Sequence, residues 1–402
     1  MIGPNGPCDP GSSMSSHPLA LPDTLFDIES FAAWSRALYR MMPLPGHVRT
    51  LFESTIEEPT DQLAAVVRDV FTTPVSDRFE SVFGRGNAYV IAALAQRYGV
   101  NEDQIVCTTG ASTAVGMVLH TLVKPGDHVL VETPRFDVLD SLSRDRGARV
   151  DTLTRNGAGM KIDPDHLADK LQPDTRLVLI SNLHNPSGYL MREAELAELA
   201  AVAERNGTLI LVDEVYGDFA GESGETCAAR VAPNVITVNS LTKVFGLFAL
   251  RCGWIVCDPA LARRISRDNA DREFGVSKLT HAVAAHVLER PEPFDSHWRT
   301  ILNATRPVLE RHFNAMRDDG LIDGILPDYG CICFPEILGV TDTRALARDM
   351  WKQQGLVLAP GEFFGQPGHI RLGFGVAPDR LDEGLARLHE ALYARRRAVR
   401  SA

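Results

Sequence analysis

The stretch SLTKVFGLFALR (residues 240–251) begins at the last residue of the apolar run VITVNS at residues 235–240. Such a run, rich in β-branched residues, predicts a buried strand. The stretch places a hydroxyl at the end of that strand, at Ser240, and a lysine and an arginine just beyond it, at Lys243 and Arg251. In α/β sheets ligands bind beyond the carboxyl ends of the strands, so this stretch predicts a binding site as well as a strand.

Five further apolar runs of the same kind surround this stretch. Helical patterns separate them; in residues 192–206, for example, Leu196, Leu199, Ala200 and Ala203 share one face and Gly207 follows. Apolar strands alternating with helices predict an α/β fold whose central sheet is mainly parallel and buried on both faces. The other predicted strands are QIVC (104–107), HVLVE (128–132), RLVLIS (176–181), TLILVD (208–213) and CGWIVC (252–257).

The pattern divides the chain of 402 residues into four parts. Residues 1–20, rich in Gly, Pro and Ser, predict a disordered tail, and residues 21–60 an N-terminal segment that packs with the small domain. A large domain at 61–295 carries the sheet. After about residue 295 long helices and short strands predict a smaller α+β domain, at 296–402.

The composition argues against several function classes. A net charge of -11 and the lack of a basic cluster argue against nucleic-acid binding. No apolar run approaches the ~18 residues of a membrane helix, and the 12 histidines show no metal-ligand spacing. The seven cysteines lack CxxC spacing and mostly lie in apolar runs, which favours buried thiols in the cytoplasm.

Polar and aromatic residues stand at the ends of the other predicted strands too. Asn185 lies in NLHNPSG (182–188), Asp213 and Tyr216 in VDEVY (212–216), and Phe136 in ETPRF (132–136). The segment TTGAS (108–112) opens a helix, where free backbone amides favour an anion. HIRLGF (369–374) adds Arg371 from the small domain.

This set meets the requirements of pyridoxal phosphate. The cofactor needs a lysine amine, an acid beside its pyridine nitrogen, and donors to its ring oxygen and phosphate. A second arginine suits a substrate carboxylate, which it can bind in bidentate fashion. Each motif is weak alone, since an acid after a strand is usually a solvated turn. Asp213 lies 28 residues after Asn185 and Lys243 lies 30 residues after Asp213, an order and spacing that resemble those of a known enzyme family.

With these motifs the chain resembles the class I/II aminotransferase family, pyridoxal-phosphate enzymes of fold type I, over roughly residues 50–395. The resemblance implies that the large domain binds the cofactor and that Lys243 forms a Schiff base with it and shuttles a proton. It implies catalytic roles for Lys243, Asp213 and Tyr216, and substrate binding by Asn185 and Arg371. The implied cofactor-binding residues are Gly110, Ala111, Ser112, Phe136, Asn185, Asp213, Tyr216, Ser240, Lys243 and Arg251.

Two positions depart from the family pattern. Many relatives have Pro-Gly shortly before the phosphate arginine, where this chain has Phe248 and Ala249. Many have a tyrosine from the partner subunit at the phosphate, and the nearest match here is Phe83, which has no hydroxyl.

Several other residues have two interpretations from sequence. Arg85 and Asn87 either read the substrate side chain or are structural, and Ser54 and Thr55 either line the pocket or cap a helix. His184 predicts a structural role in its loop.

The resemblance implies an aminotransferase that moves an amino group between an L-amino acid and a 2-oxo acid, as a homodimer. One alternative is a specialised biosynthetic enzyme of the same fold, a lyase, an oxidase or a cyclase, because VLAPGEFFG (357–365) is similar to capreomycidine-synthase-like cyclases. Another is a regulatory module, disfavoured because residues 1–60 are too short and not basic enough for a DNA-binding domain. The sequence does not identify the amino donor.

Overall fold

The computed structural model describes residues 22–41, 49–80, 82–157, 159–223, 227–272 and 275–401. The predicted disordered tail, 1–20, and Cys8 lie outside these residues. The described ranges contain twelve α-helices: α1 Phe31–Tyr39, α2 Thr60–Phe71, α3 Ala88–Tyr98, α4 Ala111–Leu122, α5 Asp137–Asp145, α6 Pro164–Lys170, α7 Glu193–Arg205, α8 Pro259–Asp268, α9 Lys278–Glu289, α10 Glu292–Asp318, α11 Thr343–Gln354 and α12 Pro378–Ser401.

Fourteen strands lie in the same ranges, and seven of them form the central sheet. The strands are β1 Arg49–Thr50, β2 Ile105–Thr108, β3 His128–Thr133, β4 Arg149–Thr154, β5 Thr175–Ser181, β6 Leu209–Asp213, β7 Val235–Ser240, β8 Gly253–Val256, β9 Ile322–Asp323, β10 Ile332–Cys333, β11 Glu336–Ile337, β12 Leu356–Val357, β13 Ala359–Pro360 and β14 Ile370–Gly373.

The central sheet has the strand order β2-β8-β7-β6-β5-β3-β4. Strand β8 runs antiparallel to both of its neighbours, and the other pairs are parallel. All residues of β7 are buried, as are all but the first of β6, because helices cover both faces of the sheet. The predicted α/β fold with a mainly parallel sheet is therefore confirmed.

One strand of this sheet has no counterpart among the six predicted from sequence. Strand β4 reads RVDTLT and buries one residue fully, Leu153, because it lies at the edge of the sheet. An edge strand with one solvated face lacks the continuous apolar run that marks a buried parallel strand.

The C-terminal residues and the N-terminal segment share a second core. Phe26, Trp34 and Phe52 belong to one buried cluster with Phe313 and Leu385, and β1 pairs in parallel with β12. The predicted boundary at 295/296 falls inside the first turn of α10, a helix of 27 residues. We propose, on these contacts, that residues 22–60 belong with the small domain, 61–295 with the large domain, and that α10 joins the two.

No helix in the described ranges is both long enough and apolar enough to span a membrane.

Candidate active site

Lys243 lies three residues beyond the end of β7. There the N-terminal segment, at residues 54–56, crosses the carboxyl end of the sheet. Lys243 Nζ donates to Ser54 Oγ at 3.3 Å. Two hydrogen bonds hold this crossing: the side-chain Oγ1 of Thr55 donates to Thr242 O at 2.9 Å, and the backbone N of Ile56 donates to Lys243 O at 3.3 Å. The N-terminal segment thus forms one side of the site at the carboxyl end of the sheet.

Lys243 differs from the other lysines in its surroundings. The chain has six, all within the described residues, and the other five (Lys124, Lys161, Lys170, Lys278 and Lys352) are exposed. Burial, and next the positive charge of Arg371, lower the pKa of Lys243 to about 8. At pH 7 about a tenth of such amines are neutral, against roughly 0.03% for a lysine of ordinary pKa, which suits a nucleophile or a base.

Asp213 closes strand β6 and is buried beside Lys243. Its Oδ1 accepts a hydrogen bond from Val215 N at 3.2 Å. Burial raises the pKa of Asp213 to about 6, Glu132 adds to this, and the charge of Lys243 opposes it. A cationic partner in contact with this carboxylate would therefore be stabilised strongly, since burial leaves it little solvent.

Tyr216 is fully buried and reaches the same N-terminal crossing. Its hydroxyl donates to Ser54 O at 2.9 Å, and burial raises the pKa of the phenol. Ser54 therefore contacts both Lys243 and Tyr216, one through its side chain and the other through its carbonyl. Ser54 caps no helix, because α2 begins only at Thr60.

The N-terminus of α4 faces Arg251. Gly110 precedes the helix with a φ of 113°, and a Cβ built there would lie 2.8 Å from Arg251 Nη2. Only glycine leaves this space between the helix amides and the guanidinium. Ala111 and Ser112 form the first turn of α4, and the side chain of Ser112 is exposed. The free amides, the helix dipole and the guanidinium together favour an anion such as a phosphate.

Ser240 and Arg251 bracket the loop that carries Lys243. Ser240 Oγ accepts from Thr242 N at 3.3 Å, and Arg251, with a φ of 47°, lies over the ring of Phe248 at 5.2 Å. Phe248, at the position where the family resemblance leads us to expect proline, is 62% exposed, so this departure changes the surface of the loop.

Arg371 on β14 is completely buried and points toward the large domain. Nη1 donates to Asn185 Oδ1 at 3.0 Å, and Nη2 donates to Phe52 O at 3.0 Å. The guanidinium carbon lies 4.3 Å from the ring centre of Phe31 and 4.8 Å from that of Phe364. Its Nε has no hydrogen-bond partner among the described residues. A buried arginine without a carboxylate partner among the described residues is suited to binding one.

Phe136 precedes α5 and is half-buried. Its ring stands edge-on to that of Phe31, 6.2 Å between centres, and it packs against the small-domain core. Phe136 and Arg371 thus share a neighbour, Phe31, from the N-terminal segment.

Four other candidate residues have local structural contacts. Arg85 donates to the carbonyls of Glu102 and Ile105, and Asn87 caps α3 by accepting from Tyr89 N and Val90 N. His184 bonds Ser187 and the carbonyl of Pro134, and burial lowers its pKa well below the usual range, so it is neutral. Phe83 is 65% exposed.

Sequence reasoning missed the buried polar residues behind Asn185. Glu132 and Arg155 form an ion pair at 2.7 Å with both side chains fully buried. The available signal was a glutamate at the end of HVLVE, an apolar strand in which a carboxylate requires a buried partner. The described residues contain no cluster of side chains suited to a metal ion.

The residues present fit pyridoxal phosphate. Lys243 offers an amine of lowered pKa, Asp213 a buried acid, and Tyr216 and Asn185 polar groups beside it. The space that a Cβ at Gly110 would fill separates Arg251 from the helix terminus suited to the phosphate.

Comparison with known proteins agrees with this geometry. Residues 74–388 match the family described as "Aminotransferase class I and II". Capreomycidine synthase of Streptomyces vinaceus is 30% identical over 78% of this chain and 81% of that protein. An arginine–pyruvate transaminase of Pseudomonas aeruginosa is 26% identical over 89% of this chain and 93% of its own length.

A solved structure gives the same result for the fold. A PLP-dependent aminotransferase of Streptococcus suis superposes with a TM-score of 0.76 at 27% identity, covering 87% of this chain and 94% of that one.

Proposed function

We propose, because this chain belongs to the class I and II aminotransferase family, that it moves an amino group between an L-amino acid and a 2-oxo acid, with Lys243 as the residue that carries the cofactor. The family depends on pyridoxal phosphate, and so does this enzyme. When bound, the cofactor supplies an aldehyde for the amine and a protonated ring that withdraws electrons from the bonds at Cα.

The observation that carries the proposal is the setting of Lys243. It is the one lysine of six that is not exposed, and burial and Arg371 lower its pKa to about 8. The neutral amine of Lys243 takes the proton from the substrate Cα and returns it within the same pocket. General base catalysis of this kind needs a pKa near the working pH.

Asp213 and Tyr216 prepare the site for that proton transfer. When the cofactor is bound, Asp213 at the end of β6 would keep its ring nitrogen protonated, and Asn185 would donate to its ring oxygen. Tyr216 would donate there in place of the Ser54 carbonyl, because a phenol has one proton. Gly110, Ala111, Ser112, Ser240 and Arg251 would hold the phosphate, and Phe136 would contact the ring. Each role follows the family pattern and is compatible with the positions described above.

Asn185 and Arg371 bind the substrate carboxylate in this proposal. Arg371 presents its guanidinium with Nη1 on Asn185 and Nη2 on the Phe52 carbonyl, so its orientation is fixed before the substrate arrives. A fixed arginine lowers the cost of ordering on binding and favours one orientation of Cα toward Lys243.

A single-turnover panel tests the proposal. The holoenzyme is mixed with each common amino acid in turn, while the visible absorbance of the bound cofactor and the released products are followed. We expect at least one amino acid to bleach the band and to yield one equivalent of its 2-oxo acid. Release of ammonia, loss of water or uptake of oxygen in place of the 2-oxo acid would overturn transamination.

A second candidate has support from one relative. Capreomycidine synthase is 30% identical, so a specialised biosynthetic reaction, by a cyclase, lyase or oxidase built on the same residues, is the alternative. The same panel separates the two, because no response to any common amino acid, or a response that yields no 2-oxo acid, favours the specialised enzyme.

We further propose that the enzyme is a cytoplasmic homodimer. The six described cysteines are free and buried, which suits a reducing compartment, and Phe83 and Phe248 expose more than half of their side chains. Light scattering after gel filtration should give twice the mass of 44.0 kDa. A monomeric mass would contradict the dimer.

A further inference from the structure

We propose that Glu132, Arg155 and Ser181 form a buried positioning unit that fixes Asn185 against Arg371 and thereby sets the carboxylate clamp. What the clamp binds rests on the proposed function; the positioning itself does not. None of the three residues belongs to the predicted site.

A continuous series of hydrogen bonds joins the unit to the clamp. Arg155 Nε donates to Glu132 Oε2 at 2.7 Å, and Ser181 Oγ donates to Glu132 Oε1 at 2.5 Å. Asn185 N donates to Ser181 Oγ at 3.0 Å, and Asn185 Oδ1 accepts from Arg371 Nη1 at 3.0 Å. The series spans β3, β5, the loop after β5 and β14, so it crosses from the large to the small domain.

The pairing of Glu132 with Arg155 gives the series a direction. Glu132 accepts from Arg155, from Ser181 N at 2.8 Å and from Ser181 Oγ. A serine hydroxyl has one proton, and here that proton points to Glu132. The Ser181 oxygen is therefore left as an acceptor for Asn185 N, which anchors the loop at its backbone.

Arg155 holds the other side of the same loop. Its Nη2 donates to Ser181 O at 3.0 Å and its Nη1 to Met160 O at 2.9 Å. The side chains of Arg155 and Glu132 are fully buried. A buried ion pair of this kind stabilises a fold little compared with apolar residues of the same volume. Its effect is geometric, because Glu132 and Arg155 together bind the N–H, the hydroxyl and the carbonyl of Ser181. This effect accounts for the ion pair beside the site.

The anchored loop determines which atom of Asn185 faces Arg371. With Oδ1 on the guanidinium, the Nδ2 amide points away from the clamp and is free to donate elsewhere in the site. Loss of the Ser181 anchor would let the loop and the amide turn together, and Arg371 would lose one of its two fixed contacts. The unit therefore acts on substrate affinity through the carboxylate, and Glu132 and Ser181 are positioning residues.

Ser181→Ala tests this without removing either buried charge. Ser143→Ala is the matched control, because Ser143 is equally buried and bonds only the carbonyl of Leu139 in its own helix. Both variants are compared with the parent holoenzyme by crystal structure and by the dissociation constant of an amino acid and of its carboxamide, followed by the cofactor absorbance. Thermal unfolding of each variant reports folding.

We expect Ser181→Ala to weaken binding of the amino acid by about tenfold, the size of one lost buried hydrogen bond. Binding of the carboxamide should change much less, because it has no charge for the clamp. In the crystal structure the distance from Asn185 Oδ1 to Arg371 Nη1 should exceed hydrogen-bond range. Ser143→Ala should match the parent in every measurement except a small loss of stability.

An unchanged Asn185–Arg371 contact in Ser181→Ala would overturn the inference, whatever reaction the enzyme catalyses. An equal loss of affinity for acid and carboxamide would do the same, since a structural defect alone predicts it. If no amino acid perturbs the parent absorbance, the proposed function fails, and the crystal structures still decide the positioning role.

Discussion

The two sides of the site are built in different ways. The cofactor side consists of Lys243, Asp213, Tyr216 and the α4 terminus, all within residues 110–251 of one domain. The clamp side brings Arg371 from β14 against Asn185 of the large domain and Phe31 and Phe52 of the N-terminal segment.

The difference shows which part of the chemistry each domain controls. Strand ends of one sheet are placed by the sheet itself, so the sheet positions the residues of the cofactor side, although Ser54 of the N-terminal segment also contacts Lys243 and Tyr216. The clamp requires that the small domain and the N-terminal segment dock on the large one. Variants should therefore separate a defect in the chemistry from a defect in carboxylate binding.

Asp213→Asn should have the largest effect and should act on the cofactor side alone. Asparagine keeps the shape but cannot carry the negative charge that stabilises a protonated ring nitrogen. We expect the single-turnover rate to fall by about 1000-fold, the size of a lost electrostatic contact to the reacting group. The preference for an amino acid over its carboxamide should be unchanged; a lost preference would show that the two sides are not separable.

Arg371→Lys should have an intermediate effect and should act on the clamp alone. Lysine keeps the charge but cannot contact Asn185, the Phe52 carbonyl and a carboxylate together. Affinity for the amino acid should fall between about tenfold and 100-fold, with the cofactor absorbance unchanged in the absence of substrate.

Arg395→Lys is the control for this variant. Arg395 lies at the surface, 3.6 Å from Asp349, where an ion pair contributes below ~1 kcal/mol. If both variants lose affinity to the same degree, Arg371 is not the clamp.

The smallest expected effect is on the pH dependence of cofactor loading, because the charge of Arg371 on the clamp side acts on Lys243 on the cofactor side. The rate of cofactor loading by the apoenzyme should rise with pH through the pKa of Lys243, about 8, and level off above it, because only the neutral amine reacts. Arg371 lowers that pKa, so Arg371→Gln should move the midpoint to higher pH. Loading rates measured across pH check this, and an unmoved midpoint would mean that the sides are electrostatically independent.

The sequence was sufficient for the family, the cofactor and the central sheet. Asp213 and Lys243 follow apolar runs, and a run followed by a polar residue predicts a strand end directly. Ser240, Gly110 and Arg251 lie at fixed offsets from those strands. The expected family and the parallel sheet are confirmed, while the individual roles of these residues stay predictions.

The clamp was only partly predictable, because its partners are distant in sequence. Arg371 was found by its motif, but its contacts with Phe31 and the Phe52 carbonyl depend on docking between segments that no local pattern encodes. Glu132 was missed since a single acid in an apolar strand does not reveal its partner, Arg155, 23 residues away. Strand β4 was missed because one of its faces is solvated.

Borohydride reduction of the holoenzyme, followed by proteolysis and mass spectrometry, is the most direct test that Lys243 carries the cofactor. Reduction fixes pyridoxal phosphate permanently to the lysine that carries it. We expect one phosphopyridoxyl group per chain, on the peptide that contains Lys243, and none on the other five lysines. We also expect that Lys243→Ala stays folded and loses both the label and turnover. A label on any other lysine, or a Lys243→Ala protein that keeps label and turnover, would contradict this assignment.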